Sequence, residues 1–196
     1  MKKGERRKLE LLDIAYGMFL SKGYENTSVD EIIEKANIAK GTFYYYFESK
    51  EMLLEEVIGM MIDKEIEAAK KILDADLSAP QKIAGIISSL RPSENELPIE
   101  DALMRPENII MHDKVRKQLI EKAVPLISDV VKEGINDGLF ECENVFERVR
   151  MVLVLSSYTF DENTYSEGDV IVFIDTLEKI FGAKPGTMEF IRGLIR

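Results

Sequence analysis

Apolar side chains recur at intervals of three and four residues along nearly the whole chain, and no segment alternates in the way that a strand does. The first series predicts a helix from about residue 7 to residue 22, with Gly23 as its left-handed stop. Its inward positions are Leu11, Ile14, Ala15, Met18 and Phe19. The pattern therefore predicts an all-α protein.

Two shorter helices follow around a tight turn. Ser28 and Glu31 have the spacing of a capping box, in which hydroxyl and carboxylate satisfy the free amides at a helix start, so a helix is expected from about Val29. Asn37 marks the turn, because asparagine accepts a left-handed backbone with little strain. A third helix is expected from about Lys40.

The third helix has two kinds of aromatic position. Phe43 and Phe47 lie four residues apart and can share a buried face. The tyrosines at 44–46 point in three directions, so an aromatic core stripe, the alternative interpretation, would leave some of them unburied. Gly41 costs about 1 kcal/mol relative to alanine within a helix, which is understandable if another backbone approaches there.

The segment from Lys40 to Phe47, with Lys50 after it, resembles the recognition helix of the TetR family of transcriptional regulators. The family hallmark is K-G-T-aromatic-Y-x-[HY]-F followed by a lysine, and the similarity extends over about residues 8–57. One departure is Ala39, where the family usually has a capping serine or threonine; a missing cap costs roughly 0.5–2 kcal/mol.

The resemblance implies a domain organisation and a set of DNA contacts. Residues 1–49 would form a three-helix helix-turn-helix DNA-binding domain, and residues 50–196 a helical effector-binding and dimerisation domain. Gly41 would allow close approach of the DNA. Phosphates would be held by Thr27, Ser28, Tyr46 and Lys50, while Lys40, Thr42, Tyr44 and Tyr45 would face the major groove.

Further helices are expected at about 50–74, 80–90, 99–104, 108–136, 143–160 and 168–182, with a polar loop at 161–167 and a short helix from about 187. Pro125 is expected to kink or interrupt the fourth of these, because proline removes a backbone donor and clashes with the preceding turn.

The last two long helices are more apolar than one buried face requires. The resemblance implies that they pair with those of a second copy in a four-helix interface, although burial within one protomer is the alternative. A two-fold dimer would match a palindromic operator in double-stranded DNA. The expected interface residues are Phe146, Val149, Leu153, Val170, Phe173, Ile174, Leu177 and Phe181.

Regulators of this family generally release DNA when a small molecule binds among the helices of the C-terminal domain. Candidate lining residues combine adaptable apolar surface with a few polar groups: Met61, Met104, Met111, His112, Leu155 and Tyr158. Each of them could instead be ordinary core. An alternative function is an architectural or scaffold dimer that binds DNA without any inducer.

The net charge of the chain is -10, which at first argues against nucleic acid as a partner. The charge is uneven, however: residues 1–50 contain nine Lys and Arg against eight Asp and Glu, so this segment is at +1 and the remainder at -11. Because the local field governs attraction to phosphate, an acidic C-terminal domain remains compatible with DNA binding.

The sequence offers no signature of catalysis or of a cofactor. It contains no nucleophile triad spacing, no phosphate-binding glycine loop and no Cys/His cluster, so neither an enzyme nor a metal site is expected. Cys142 is the single cysteine and is expected to be a small apolar filler. No apolar stretch approaches twenty residues and none resembles an export leader, so we expect no membrane association and a cytoplasmic protein.

Overall fold

The computed structural model describes residues 3–160 and 165–195, and every regular element within them is helical. The prediction of an all-α protein is confirmed. The α-helices are α1 (Lys3–Lys22), α2 (Val29–Ala36), α3 (Lys40–Tyr46), α4 (Lys50–Leu73), α5 (Ala79–Ser89), α6 (Leu97–Leu103), α7 (Ile109–Asn136), α8 (Val145–Thr159) and α9 (Glu167–Phe181). Short 3-10 helices lie at Glu94–Glu96, Pro106–Asn108 and Glu189–Leu194.

The chain packs as two compact units. The first consists of Met1–Lys64 and Pro92–Val115, and the second of Glu65–Arg91 and Arg116–Arg196. Helices α4 and α7 therefore each contribute to both units. The predicted functional division at residues 49 and 50 remains a prediction, because compact packing does not by itself assign a function to either part.

The core of the first unit is built on phenylalanines from α1 and α3. Phe19, Phe43 and Phe47 are fully buried, and the ring centroids of the last two lie 5.7 Å apart. The segment from 92 to 115 joins this unit through a side-chain hydrogen bond, in which the Tyr16 hydroxyl donates to Glu96 Oε1 at 2.7 Å. The shared buried face predicted for Phe43 and Phe47 is confirmed.

Pro125 does not interrupt α7, which continues from Ile109 to Asn136, so the expectation of an interruption is wrong, whereas a kink at this position remains a prediction. The flanking side chains Val124 and Leu126 are both buried. Their packing offsets the roughly 3 kcal/mol that proline costs inside a helix.

Helix α9 packs into the second unit with six of its fifteen residues buried. A capping box at Ser166 and Asp169 starts it, and Gly182 ends it with φ of 62°. A Cβ at Gly182 would lie 2.1 Å from the Glu141 carbonyl oxygen, so only glycine permits this close approach of two chain segments. Residues 161–164 of the predicted polar loop lie outside the described residues.

Candidate DNA-binding interface

The start of α2 is fixed by the capping box that the sequence predicts. Ser28 Oγ accepts from the Glu31 amide at 3.2 Å, and Glu31 Oε2 accepts from both the Ser28 amide and hydroxyl at 2.8 Å. Together with the Lys22 ammonium, which donates to the Glu31 carboxylate, these bonds lower the pKa of Glu31 to about 2. The capping box and the Lys22 ion pair therefore fix the start of α2, with Glu31 ionised at neutral pH.

The turn between α2 and α3 has the backbone conformation that the sequence predicts. Asn37 adopts a left-handed conformation at φ 49° and ψ 56°, and its amide donates to the Glu34 carbonyl. Helix α3 then begins after Ala39, which makes no side-chain capping bond. The seven-residue α3 consequently depends on packing rather than on a cap for its stability.

Helix α3 has an inward face and an outward face made by different residues. Phe43 and the following Phe47 point inward, whereas Tyr44 and Tyr45 are exposed, Tyr45 to 80%. Tyr46 and Thr42 are half-buried, and Gly41 is exposed. A Cβ at Gly41 would meet no atom within 4 Å, so the packing of the free protein does not require glycine there.

The structure places Thr27 differently from the expectation of a phosphate contact. Its relative exposure is 0%, and its hydroxyl donates to the Gly23 carbonyl at 2.8 Å. The side chain thus fixes the loop between α1 and α2 and has no surface to offer a phosphate. Ser28, by contrast, is exposed at the first position before α2.

Lys50 is half-buried beside the same loop. Its ammonium lies 4.1 Å from the centroid of the Tyr24 ring and 3.5 Å from the Glu25 carbonyl oxygen. Partial burial lowers the pKa of Lys50, although the nearby carboxylates of Glu25 and Glu51 oppose that effect. The ammonium that the resemblance assigns to phosphate is therefore held against the loop between α1 and α2.

Lys40, the first residue of α3, is exposed and paired with a residue of α2. Its ammonium donates to Asp30 Oδ1 at 3.1 Å. The hydrogen bond and the charge of Asp30 raise the pKa of Lys40, so it is fully protonated near neutrality. The sequence pattern gave no clear signal for the pair of Asp30 and Lys40, because residues ten positions apart meet only through the turn between α2 and α3.

The residues expected to line an effector pocket fall in both compact units. In the first unit Met61 and Met111 are buried, His112 is half-buried and Met104 is exposed. In the second unit Leu155 and Tyr158 are exposed on α8. They line an apolar surface depression together with Arg150, Met151 and Val154. A shared cavity formed by all six predicted residues remains a prediction.

Most residues expected at the dimer interface lie inside the protomer. Phe173, for example, is 7% exposed, and its ring packs edge-on against Phe160 with centroids 5.0 Å apart. Such side chains have no surface left for a second copy, so their assignment to the interface is corrected. The six buried residues are Val149, Val170, Phe173, Ile174, Leu177 and Phe181. Phe146 is exposed and Leu153 half-buried.

A second group of apolar side chains on α8 and α9 is exposed, and its members are Phe146, Met151, Val154, Leu155, Tyr158, Ile171 and Val172. Four of them, Met151, Val154, Leu155 and Tyr158, line one surface depression and form a continuous apolar face. The sequence signal for this group was the excess of apolar residues on both helices beyond what one buried stripe requires. Periodicity alone did not show which of the two stripes the protomer itself covers.

Comparison with known proteins agrees with this arrangement. Residues 11–57 match the family model for bacterial regulatory proteins of the tetR family, and residues 93–172 match the tetracyclin repressor-like C-terminal domain. The HTH-type transcriptional repressor KstR2 of Mycolicibacterium smegmatis is 30% identical over 139 residues, which cover 68% of this chain and 67% of that protein. The chain belongs to the TetR family.

Other relatives of this TetR-family protein are also regulators. The fatty acid metabolism regulator protein of Bacillus subtilis is 26% identical over 142 residues, covering 70% of this chain and 73% of that protein. RolR in complex with resorcinol has a similar fold, with a TM-score of 0.65 at 19% identity over 98% of this chain and 94% of that chain. A DNA-binding transcriptional repressor is thus supported, and the expectation that the protein is not an enzyme is confirmed.

Membrane-spanning helices and metal-binding groups would each indicate another class of function. Within the described ranges 3–160 and 165–195, no helix combines the length and apolarity needed to cross a membrane. The same part of the TetR-family chain contains no group of three or more His, Cys, Asp or Glu side chains placed to hold a metal ion.

Removal of the Ser28 hydroxyl tests the capping box. Ser28→Ala should lower the free energy of unfolding by roughly 0.5–2 kcal/mol at neutral pH, measured by urea denaturation. Because the pKa of Glu31 in the folded protein is depressed to about 2, its contribution is present above its usual pKa and is lost as pH falls toward 2. The difference between wild type and Ser28→Ala should therefore narrow on acidification. A difference that stays constant down to that pH would contradict the proposed link between the two side chains.

Proposed function

We propose that this protein is a homodimeric repressor that binds a palindromic operator through α3 and releases it when a small molecule binds the C-terminal helices. The observation that best supports operator reading is the division of α3 into two faces. Phe43 and Phe47 fix one face in the core, and Lys40, Tyr44 and Tyr45 remain outside. A helix held in this way can enter a major groove without disturbing its own packing.

The exposed side chains of α3 match the chemistry of DNA. Tyrosine hydroxyls donate to phosphate oxygens and can both donate to and accept from base edges, and the Lys40 ammonium suits guanine O6 and N7. Gly41 lies next to Lys40 with open space around its Cα. The absence of a side chain there would let the DNA backbone approach the helix closely.

A second copy is the partner proposed for the exposed apolar side chains of α8 and α9. These exposed side chains lie on the two helices through which the resemblance implies pairing, and they include both aliphatic and aromatic residues. One of them, Tyr158, stacks on the Arg116 guanidinium, whose carbon lies 4.1 Å from the ring centroid. A two-fold interface of this kind would present two α3 helices to successive major grooves on one side of the DNA.

Acyl-CoA thioesters are the effector class that we propose to test first. The Bacillus subtilis relative, whose name places it in fatty acid metabolism, matches this chain over 142 residues. A FadR structure from the same organism, which shares this fold with a TM-score of 0.55 at 21% identity over 88% of this chain and 97% of that chain, contains stearoyl-CoA. The operator would be released because the ligand binds more tightly to an arrangement of the dimer that cannot bind the operator.

Selection of bound fragments from random duplex DNA at defined moderate salt tests operator reading. We expect a palindromic motif for the wild type, and about 1–3 kcal/mol weaker binding to it for Tyr45→Ala, because an exposed groove contact is lost. Thermal unfolding of this variant should be unchanged, since Tyr45 is outside the core. A folded wild-type dimer that enriches no motif would argue against the repressor and for the scaffold alternative.

The interface can be tested with two adjacent residues of α9. Val172→Glu places a charge on a side chain that is 63% exposed, so the protomer should stay folded while self-association weakens by more than about 100-fold in sedimentation experiments. Phe173→Glu, the matched neighbour at 7% exposure, should instead unfold the second unit. A persistent dimer of folded Val172→Glu would place the interface elsewhere.

Titration of stearoyl-CoA into the protein–operator complex tests the effector class. We expect dissociation of the complex, together with a rise in the unfolding temperature of the free protein, because a ligand that binds the native state stabilises it. Coenzyme A without the acyl chain is the control and should have a much smaller effect. Retention of the complex at saturating stearoyl-CoA would exclude this effector class while leaving operator binding intact.

A further inference from the structure

Carboxylates hold two of the basic side chains around the start of α2. The Lys40 ammonium lies 3.1 Å from Asp30 Oδ1, and the Lys22 ammonium lies 2.5 Å from Glu31 Oε1. The first fifty residues are accordingly close to neutral, at +1. Such a surface is unusual for a protein whose partner is a polyanion, because lysine and arginine charges that neutralise phosphates supply most of the nonspecific affinity for DNA.

The two acidic residues differ in what else they do. Glu31 completes the capping box with Ser28, so its carboxylate has a structural task. Asp30 takes no part in the capping box, its side chain is 78% exposed, and its paired lysine is the first residue of α3. A carboxylate in the first turn also interacts favourably with the helix dipole, but Glu31 occupies the same turn and already provides that interaction.

We propose that Asp30 is a specificity-determining residue of the DNA interface, which restrains Lys40 and so weakens binding to non-operator DNA more than binding to the operator. This inference rests on the proposed function and names a residue that tunes it. In a nonspecific complex, where contacts are made to the backbone rather than to base edges, the carboxylate faces phosphates. It must then either keep Lys40 from neutralising one of them or be left unpaired beside them. Both outcomes weaken nonspecific binding.

The matching base pair changes this balance. In the major groove, cytosine N4 and adenine N6 present amino donors beside acceptors such as guanine O6 and N7. A carboxylate and an ammonium held 3.1 Å apart can satisfy such a neighbouring donor and acceptor together. At that site Asp30 accepts from the base amino group while Lys40 donates to the adjacent acceptor, so the carboxylate no longer opposes binding.

The test compares Asp30→Asn with Glu34→Gln on a duplex of fixed arbitrary sequence, by fluorescence anisotropy at several salt concentrations. Glu34→Gln is the matched control, because it makes the same charge change at another exposed position of α2. Asp30→Asn should bind about three- to tenfold more tightly than wild type and steepen the salt dependence by about one counterion, whereas Glu34→Gln should change both much less. Thermal unfolding should confirm that both variants are folded.

Lys40→Ala shows whether Asp30 acts through its partner. In the Lys40→Ala background, Asp30→Asn should strengthen nonspecific binding no more than Glu34→Gln does. In the wild-type background, Asp30→Asn should lower the ratio of operator affinity to nonspecific affinity, and Glu34→Gln should not. Equal effects of Asp30→Asn and Glu34→Gln in the wild-type background would overturn the inference while leaving the repressor function standing. A wild type that binds no duplex even at low salt would overturn both.

Discussion

The burial of Phe43 and Phe47 is the constraint on which the proposed DNA-binding surface depends. These two rings, one turn apart, set the rotation of α3 about its own axis against the core that Phe19 completes. Once that rotation is fixed, the directions in which the side chains between them point are fixed as well. The exposure of Tyr44 and Tyr45 follows from the burial of their neighbours, and so does the place of Lys40 opposite α2.

Charge is nearly balanced within the first fifty residues, although the chain as a whole is strongly acidic. The first fifty residues are nearly neutral, while the rest of the chain is at -11. Within the helix-turn-helix, lysines meet carboxylates at hydrogen-bonding distance. Attraction to DNA must therefore come from contacts made at close range rather than from a broad positive field, which suits a protein that has to leave most DNA unoccupied.

The features that the sequence predicted well are those determined by residues close together along the chain. The Ser28 capping box, the left-handed Asn37 and the inward pair on α3 each depend on residues within four positions. Periodicity also marked α8 and α9 as apolar on more than one side, but it could not show which stripe the protomer buries. Thr27 was misplaced because its hydroxyl partner, the Gly23 carbonyl, is set by a loop conformation rather than by a repeating pattern.

The separation of buried and exposed positions on α3 has an evolutionary consequence. Because Phe43 and Phe47 are buried while Tyr44 and Tyr45 are exposed, substitutions at 44 and 45 would change the proposed contacts with DNA at little thermodynamic cost to the fold. A duplicated gene could therefore drift to a new operator by changes at these few positions alone. Each intermediate along that path would still be a folded protein, which makes such a helix well suited to giving rise to regulators with separate targets.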